Sequence, residues 1–182
     1  PKGEKLLMHA SNFRPVKNPR AVIEVFAKVQ AAMPARLLLV GDGPEMADVR
    51  RRIKEAGLCD HVEFLGQVDN LEEILPVADL LLLPSLHESF GLVALEAMAC
   101  GVPVVSTDGG ALPEVVGDAG VIVPVKNVEA LVEAIDRLLQ DPQARAELGA
   151  RGKQRIEENF CWQVCAREMS QYYREVLSHA DC

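Results

Sequence analysis

Residues 88–105, ESFGLVALEAMACGVPVV, set two glutamates eight positions apart, Glu88 ahead of a Ser-Phe-Gly turn and Glu96 inside an apolar stretch. A carboxylate among Val93, Leu95, Ala97 and Met98 needs a partner. Either a basic neighbour forms a buried salt bridge with it, or it takes the hydroxyls of a ligand. In the helix predicted over 91–100, Glu96 stands about one and a half turns in. Helical side chains lean toward the amino end, so Glu96 points back along the groove toward the strand tips, and the two carboxylates reach the crevice at different depths. Between the two acids lie the amides of Phe90, Gly91 and Leu92, which suit phosphate oxygens. A ligand with a hydroxyl-rich group at each end and a diphosphate between them matches this layout, and a nucleotide sugar is such a ligand.

Two cations belong to the same picture. The first predicted strand ends in SNFRPVKNP, a loop braced by Pro15 and Pro19 that carries Arg14 and Lys17. In an acidic chain, this pair at a predicted anion site serves to offset the charge of a diphosphate, particularly as it builds on a leaving group. The other reading is a solvated surface loop. Three strand ends also carry glycine turns, GDGPE, PSLHESFG and STDGGALPE, each followed by a helix whose first N–H groups face the same crevice. GDGP is not a dinucleotide fingerprint, since Met46 stands where a third glycine is required, and no phosphate loop of the G-x-x-x-x-G-K-[ST] kind occurs. Hydride-transfer enzymes and standard nucleoside triphosphatases are thereby disfavoured.

The elements that must position these groups read clearly. Apolar runs at 6–11, 36–41, 62–66, 79–84, 102–107 and 120–125 are nearly continuous rather than alternating, as in parallel strands covered on both faces. Helical patterns fill 19–32, 44–56, 70–76, 91–100, 111–117 and 128–140, and two further helices follow over about 142–158 and 161–178. The order predicts an α/β fold, a doubly wound parallel sheet of about six strands with additional carboxyl-terminal helices, and ligands at the carboxyl ends of the strands. The last helix carries Trp162, Cys165, Met169, Tyr172 and Val176 at spacings of three and four. It either covers the sheet edge or reaches toward a second domain.

At 182 residues and 49% hydrophobic, the chain reads as one globular domain over 1–182. A net charge of −8 argues against nucleic acid as a partner. No apolar run approaches the roughly 20 residues of a membrane span. Five cysteines without a disulfide spacing predict a reducing, cytoplasmic setting, and Cys161 with Cys165 reads as packing rather than a metal site.

The ordered set SNFRPVKNP, LLLVGDGPE, VEFLGQV, ADLLLLPS, E-x7-E around SFG, EAMACGVPV and GGALPEVVGD resembles the retaining glycosyltransferases of family 4, which have the two-domain GT-B fold. The likeness runs along essentially the whole chain, and within the family it is nearest to members that join N-acetylglucosamine to L-malate in bacillithiol biosynthesis. It implies a carboxyl-terminal, nucleotide-sugar-binding domain whose amino-terminal acceptor domain is absent and packs partly on the last helix. The implied donor is a UDP-sugar, with no cofactor and no metal. In catalysis, Lys17 and Arg14 would stabilise the departing diphosphate and Glu88 would hold sugar hydroxyls. Glu96 would take the ribose, and Gly66 and Gln67 would face the uracil. Gly41, Gly43, His87 and Ser89 would join Phe90, Gly91 and Leu92 around the donor. Many members have arginine where this chain has Asn12, and strand alternation would keep Asn12 and Arg14 on the same side. Two rivals share the fold and ligand class: a sugar-nucleotide epimerase, and a nucleotide-sugar-binding module without chemistry.

Overall fold

The computed structural model describes residues 3–180, with side chains through Ser178. Its strands are β1 (Lys5–Ala10), β2 (Ala35–Val40), β3 (Val62–Gly66), β4 (Leu80–Leu83), β5 (Val104–Thr107) and β6 (Val121–Val123). Helices α1 (Pro19–Ala32), α2 (Met46–Glu55), α3 (Leu71–Ile74), α4 (Leu92–Ala99) and α5 (Leu112–Val116) follow the first five strands in turn. After β6 come α6 (Val128–Gln140), α7 (Pro142–Asn159) and α8 (Trp162–Ala180). Every predicted element is present; β3 has its predicted bounds, β1 and β2 are shifted one residue earlier, and β4, β5 and β6 are shorter than predicted. β4 stops at Leu83 because Pro84 has no N–H to extend the ladder.

All neighbouring strands pair in parallel, in the order β3-β2-β1-β4-β5-β6. Alternation along the strands divides the core into two layers. Leu7, Leu37, Leu39, Leu80 and Leu82 pack under α1, α2 and α6, whereas Met8, Ala10, Val40, Leu81 and Leu83 pack under α4 and α5. Burial on both faces explains the continuous apolar runs. Two helix starts are fixed by side chains: Asn127 accepts from the Ala130 amide at 3.0 Å, and Asp141 from the Ala144 amide at 2.9 Å, with Pro142 in the first turn.

The order of strands reverses between β1 and β4, which opens a crevice at their carboxyl ends. The loops after those two strands are the ones that carry Lys17 and Glu88. At the far end of the chain, α8 leaves the body: Val164 is buried, while Trp162, Met169, Tyr172, Tyr173, Val176 and Leu177 stay exposed. Among the described residues no helix is long and apolar enough to cross a membrane.

Candidate functional site

The loop after β1 turns sharply at Phe13 (φ 40°) and runs into a single 3-10 turn, Pro15–Lys17, whose last residue faces the crevice. Across it, the loop after β4 brings up Glu88. The Lys17 ammonium donates to the Glu88 carboxylate, both side chains being mostly shielded from water. A main-chain bond from the Leu86 amide to the Val16 carbonyl, 2.8 Å, ties the two loops together beside that pair.

Glycines support both loops from beneath. Gly41 has φ 108°, and a β-carbon there would lie 1.9 Å from the Ser11 carbonyl oxygen, so the first loop lies directly on this glycine. Gly110, at φ 71°, supports Glu88 in the same manner, with 2.2 Å from a β-carbon to the Glu88 carbonyl oxygen. Beside it the Glu88 amide donates to the Gly109 carbonyl at 3.2 Å and the Glu88 carbonyl accepts from the Ala111 amide at 2.8 Å. Two of the three glycine turns therefore hold neighbouring loops in place through their backbones.

A cavity of about 590 Å³ fills the crevice. Of the predicted site residues, Asn12, Lys17, Gly41, Gln67, Glu88, Ser89, Phe90, Gly91 and Leu92 line it. Gly91 is the amino-terminal cap of α4, at φ 89° and without any side-chain hydrogen bond to the helix start. The first amides of this eight-residue helix and its positive dipole end therefore face the cavity beside Lys17. Lys17 is the one cation in the cavity wall among the described residues.

The remaining predicted residues lie just outside the wall. Arg14 is exposed at the cap of the 3-10 turn. The strand ends at Ala10, so alternation no longer relates positions 12 and 14, and with the turn at Phe13 between them Asn12 lines the cavity while Arg14 does not. Gly43 lies under Asn12, whose carbonyl oxygen occupies the space of its missing side chain. The Gly66 carbonyl accepts the Gly41 amide, and His87 is exposed in the loop after β4. Glu96 stands one turn along α4 from Leu92 and Val93, both of which line the cavity, and is itself exposed. No base pairs with it among the described residues. Burial of its stem, and then the charge of Glu72 on α3, push its carboxyl above the ordinary value, an effect that solvent screens.

Sequence reasoning reached Gly66 and Gln67 at the end of β3 but not the rest of that loop: Val68, Asp69 and Leu71 also line the cavity, as do Val40 and Val93. The rule that ligands meet the carboxyl ends of strands applies to β3 as to its neighbours, but beyond Gly66, itself at φ 67°, this loop has no further glycine to mark it. Ser85 was also missed. It is fully buried, contributes to the cavity wall, and its hydroxyl has no hydrogen-bond partner among the described residues. Chemically, the site joins an ion pair and an uncapped helix start, suited to a diphosphate, to an apolar slot and two carboxylates suited to a flat base and to hydroxyls.

Comparison with known proteins bears on this geometry. The chain is 42% identical over 176 residues to the N-acetyl-alpha-D-glucosaminyl L-malate synthase of Bacillus anthracis, which covers 96% of this chain and 46% of that protein. Sucrose-phosphate synthase from Thermosynechococcus elongatus superposes with a TM-score of 0.85 at 34% identity, over 98% of this chain and 47% of the other. Anabaena HepE, solved in complex with UDP, gives a TM-score of 0.85 at 26% identity, over 97% of this chain and 49% of the other. The chain thus spans about half the length of the proteins it matches. The profile of glycosyl transferases group 1 matches residues 1–155. On that match, and with GT-B enzymes as its structural neighbours, the chain belongs to the group 1 glycosyl transferases.

Proposed function

We propose that this chain is the donor-binding half of a retaining glycosyltransferase that takes a UDP-sugar, UDP-N-acetylglucosamine first among them. The acceptor, L-malate, is bound by an amino-terminal domain, which makes the reaction a step in bacillithiol biosynthesis. The observation that carries the reading is the meeting of Lys17, Glu88 and the uncapped start of α4 in one cavity at the sheet's switch point. The likeness to the Bacillus anthracis synthase supports the choice of sugar and acceptor, and the UDP complex of HepE supports the base.

In this reading the diphosphate lies against the amides of Phe90, Gly91 and Leu92 with Lys17 beside it. Charge that builds on the leaving group is met by Lys17 and the helix start, so no metal is required. Glu88 then turns to the sugar hydroxyls. The apolar slot of Val40, Val68 and Leu71, with Gln67 at its edge, takes the uracil, and Glu96 takes the ribose hydroxyls. The exposed apolar face of α8 packs against the acceptor domain. The free thiols of Cys59, Cys100, Cys161 and Cys165 suit the cytoplasm.

The test is incubation of the protein together with its acceptor domain, UDP-N-acetylglucosamine and L-malate in the presence of EDTA. Formation of the α-linked N-acetylglucosaminyl malate is the expected result. An epimerised donor, or donor binding with no product, would assign the site to one of the two rivals.

A further inference from the structure

His9 is a fully buried titratable group that the donor site does not use. Its ring lies at the carboxyl end of β1, and both nitrogens are engaged. Nδ1 is 2.9 Å from the Leu82 carbonyl oxygen on β4, and Nε2 is 2.9 Å from the Ser11 hydroxyl. A carbonyl can only accept, so Nδ1 carries the hydrogen. In a neutral ring Nε2 is then the acceptor, and it receives the Ser11 O–H. The Ser11 oxygen in turn accepts the Phe13 amide at 3.1 Å. With the ring neutral, one placement of hydrogens satisfies all three bonds; a protonated ring would turn the Nε2 bond round and donate it to the second lone pair of the Ser11 oxygen. Burial, opposed by the Leu82 carbonyl and reinforced by the charge of nearby Lys17, holds the His9 pKa down at about 4.

A buried histidine that only filled the core would spend these bonds on core groups. Here one bond runs to the Leu82 carbonyl and the other outward to a cavity-lining serine. That serine holds the amide of Phe13, one of two non-glycine residues of the loop, with Asn18, at positive φ. Phe13 sits at φ 40°, a region costly for a residue with a β-carbon. Its ring is fully buried and meets the His9 ring edge-on, with centroids 5.5 Å apart at 83°. Its carbonyl accepts the Glu45 amide at 3.0 Å. Beyond Phe13 the chain enters the 3-10 turn in which the Lys17 amide donates to the Arg14 carbonyl at 2.9 Å.

We propose that His9 is a positioning residue: through the Ser11 hydroxyl and the Phe13 amide it fixes the loop that sets Lys17 against Glu88. Its consequence for donor affinity rests on the donor reading above. The relay spans β4, β1 and the loop, so it ties both sides of the switch point to the position of a single ammonium group. His9 touches no donor in this scheme.

The test combines nitrogen NMR of His9, amide exchange of Phe13 and calorimetric titration with UDP. In the unaltered protein at neutral pH, His9 is expected with hydrogen on Nδ1 only and the Phe13 amide protected. Ser11→Ala should expose that amide and weaken UDP about tenfold, the usual consequence of losing one buried hydrogen-bond partner. Lys17→Met should weaken UDP further, and Ser11→Ala added to it should make no difference, because both act through the same ammonium. Hydrogen on Nε2, an unchanged UDP affinity in Ser11→Ala, or a full additive loss in the double variant would each overturn the proposal. If the unaltered protein binds no UDP while the tautomer and the Phe13 exchange behave as stated, the donor reading falls and the positioning role stands.

Discussion

The crevice is built on opposite terms at its two ends, one inside the cavity at Lys17 and the other just outside its wall at Glu96. At the Lys17 end, charge is compensated: an ammonium faces a carboxylate, two loops are joined through their backbones, and glycines from neighbouring turns hold both loops in register. At the Glu96 end, charge is left uncompensated. Glu96 and Glu72 repel one another across α4 and α3, and no base answers either in the cavity wall. A rigid, paired end is ready for an anion before any ligand arrives, since moving Lys17 from a carboxylate to a phosphate costs little reorganisation. A like-charged end is poorly satisfied when empty and gains most from donors such as ribose hydroxyls. Polar groups that lower the stability of the empty protein belong to function rather than to folding.

That contrast is open to direct attack. The largest effect should come from Lys17→Met, which removes the cation of the wall and strands Glu88 without its partner. UDP affinity should fall about 100-fold, and urea unfolding should report a loss of about 2 kcal/mol from the shielded carboxylate left unpaired. The pH dependence of stability comes next. His9 titrates near 4 in the folded protein and at about 6.5 when unfolded, so the unfolded chain takes up the proton first as pH falls. Stability from this residue is fully present above pH 6.5 and declines toward pH 4, by about 2 kcal/mol between pH 7 and pH 5. Replacing His9 by glutamine should flatten that part of the profile.

At the other end the sign reverses. Glu96→Gln should weaken UDP about tenfold through the lost ribose contact, yet its melting temperature should hold or rise slightly, because the repulsion from Glu72 is gone. A fall in melting temperature there would erase the contrast between the two ends. Glu88→Gln should have the smallest effect on UDP, within about threefold, since the freed ammonium still meets the diphosphate. Its cost should appear when the sugar is attached, as loss of the added affinity of UDP-N-acetylglucosamine over UDP, measured by calorimetry on both ligands.

Much of this architecture is legible in the amino-acid order. Runs such as Leu80–Leu83 announce doubly covered strands, and Pro19 and Pro142 mark helix starts at their true positions. Lys17, Glu88 and the Ser89–Leu92 turn converge as their spacing suggests, because each follows directly from a strand end. What was not legible depends on contacts between distant segments. Gly41 looks like a ligand cradle in isolation, whereas its open space is taken by the Ser11 carbonyl, thirty positions earlier in the chain. Arg14 looks equivalent to Asn12 until the turn at Phe13 separates them, and that turn is set by the Ser11 hydroxyl and His9. The approach of Glu72 to Glu96 requires α3 to pack beside α4, a tertiary fact with no local signature.

Whether the crevice binds a nucleoside diphosphate in the orientation assigned to it is decided most directly by titrating UDP into the isotopically labelled protein and mapping the amide shifts. The largest changes should fall at Lys17, at Gln67 to Asp69 and along Ser89 to Val93, with Glu96 responding and α8 silent. Saturable shifts confined to other faces of the molecule, or none at millimolar UDP, would contradict it.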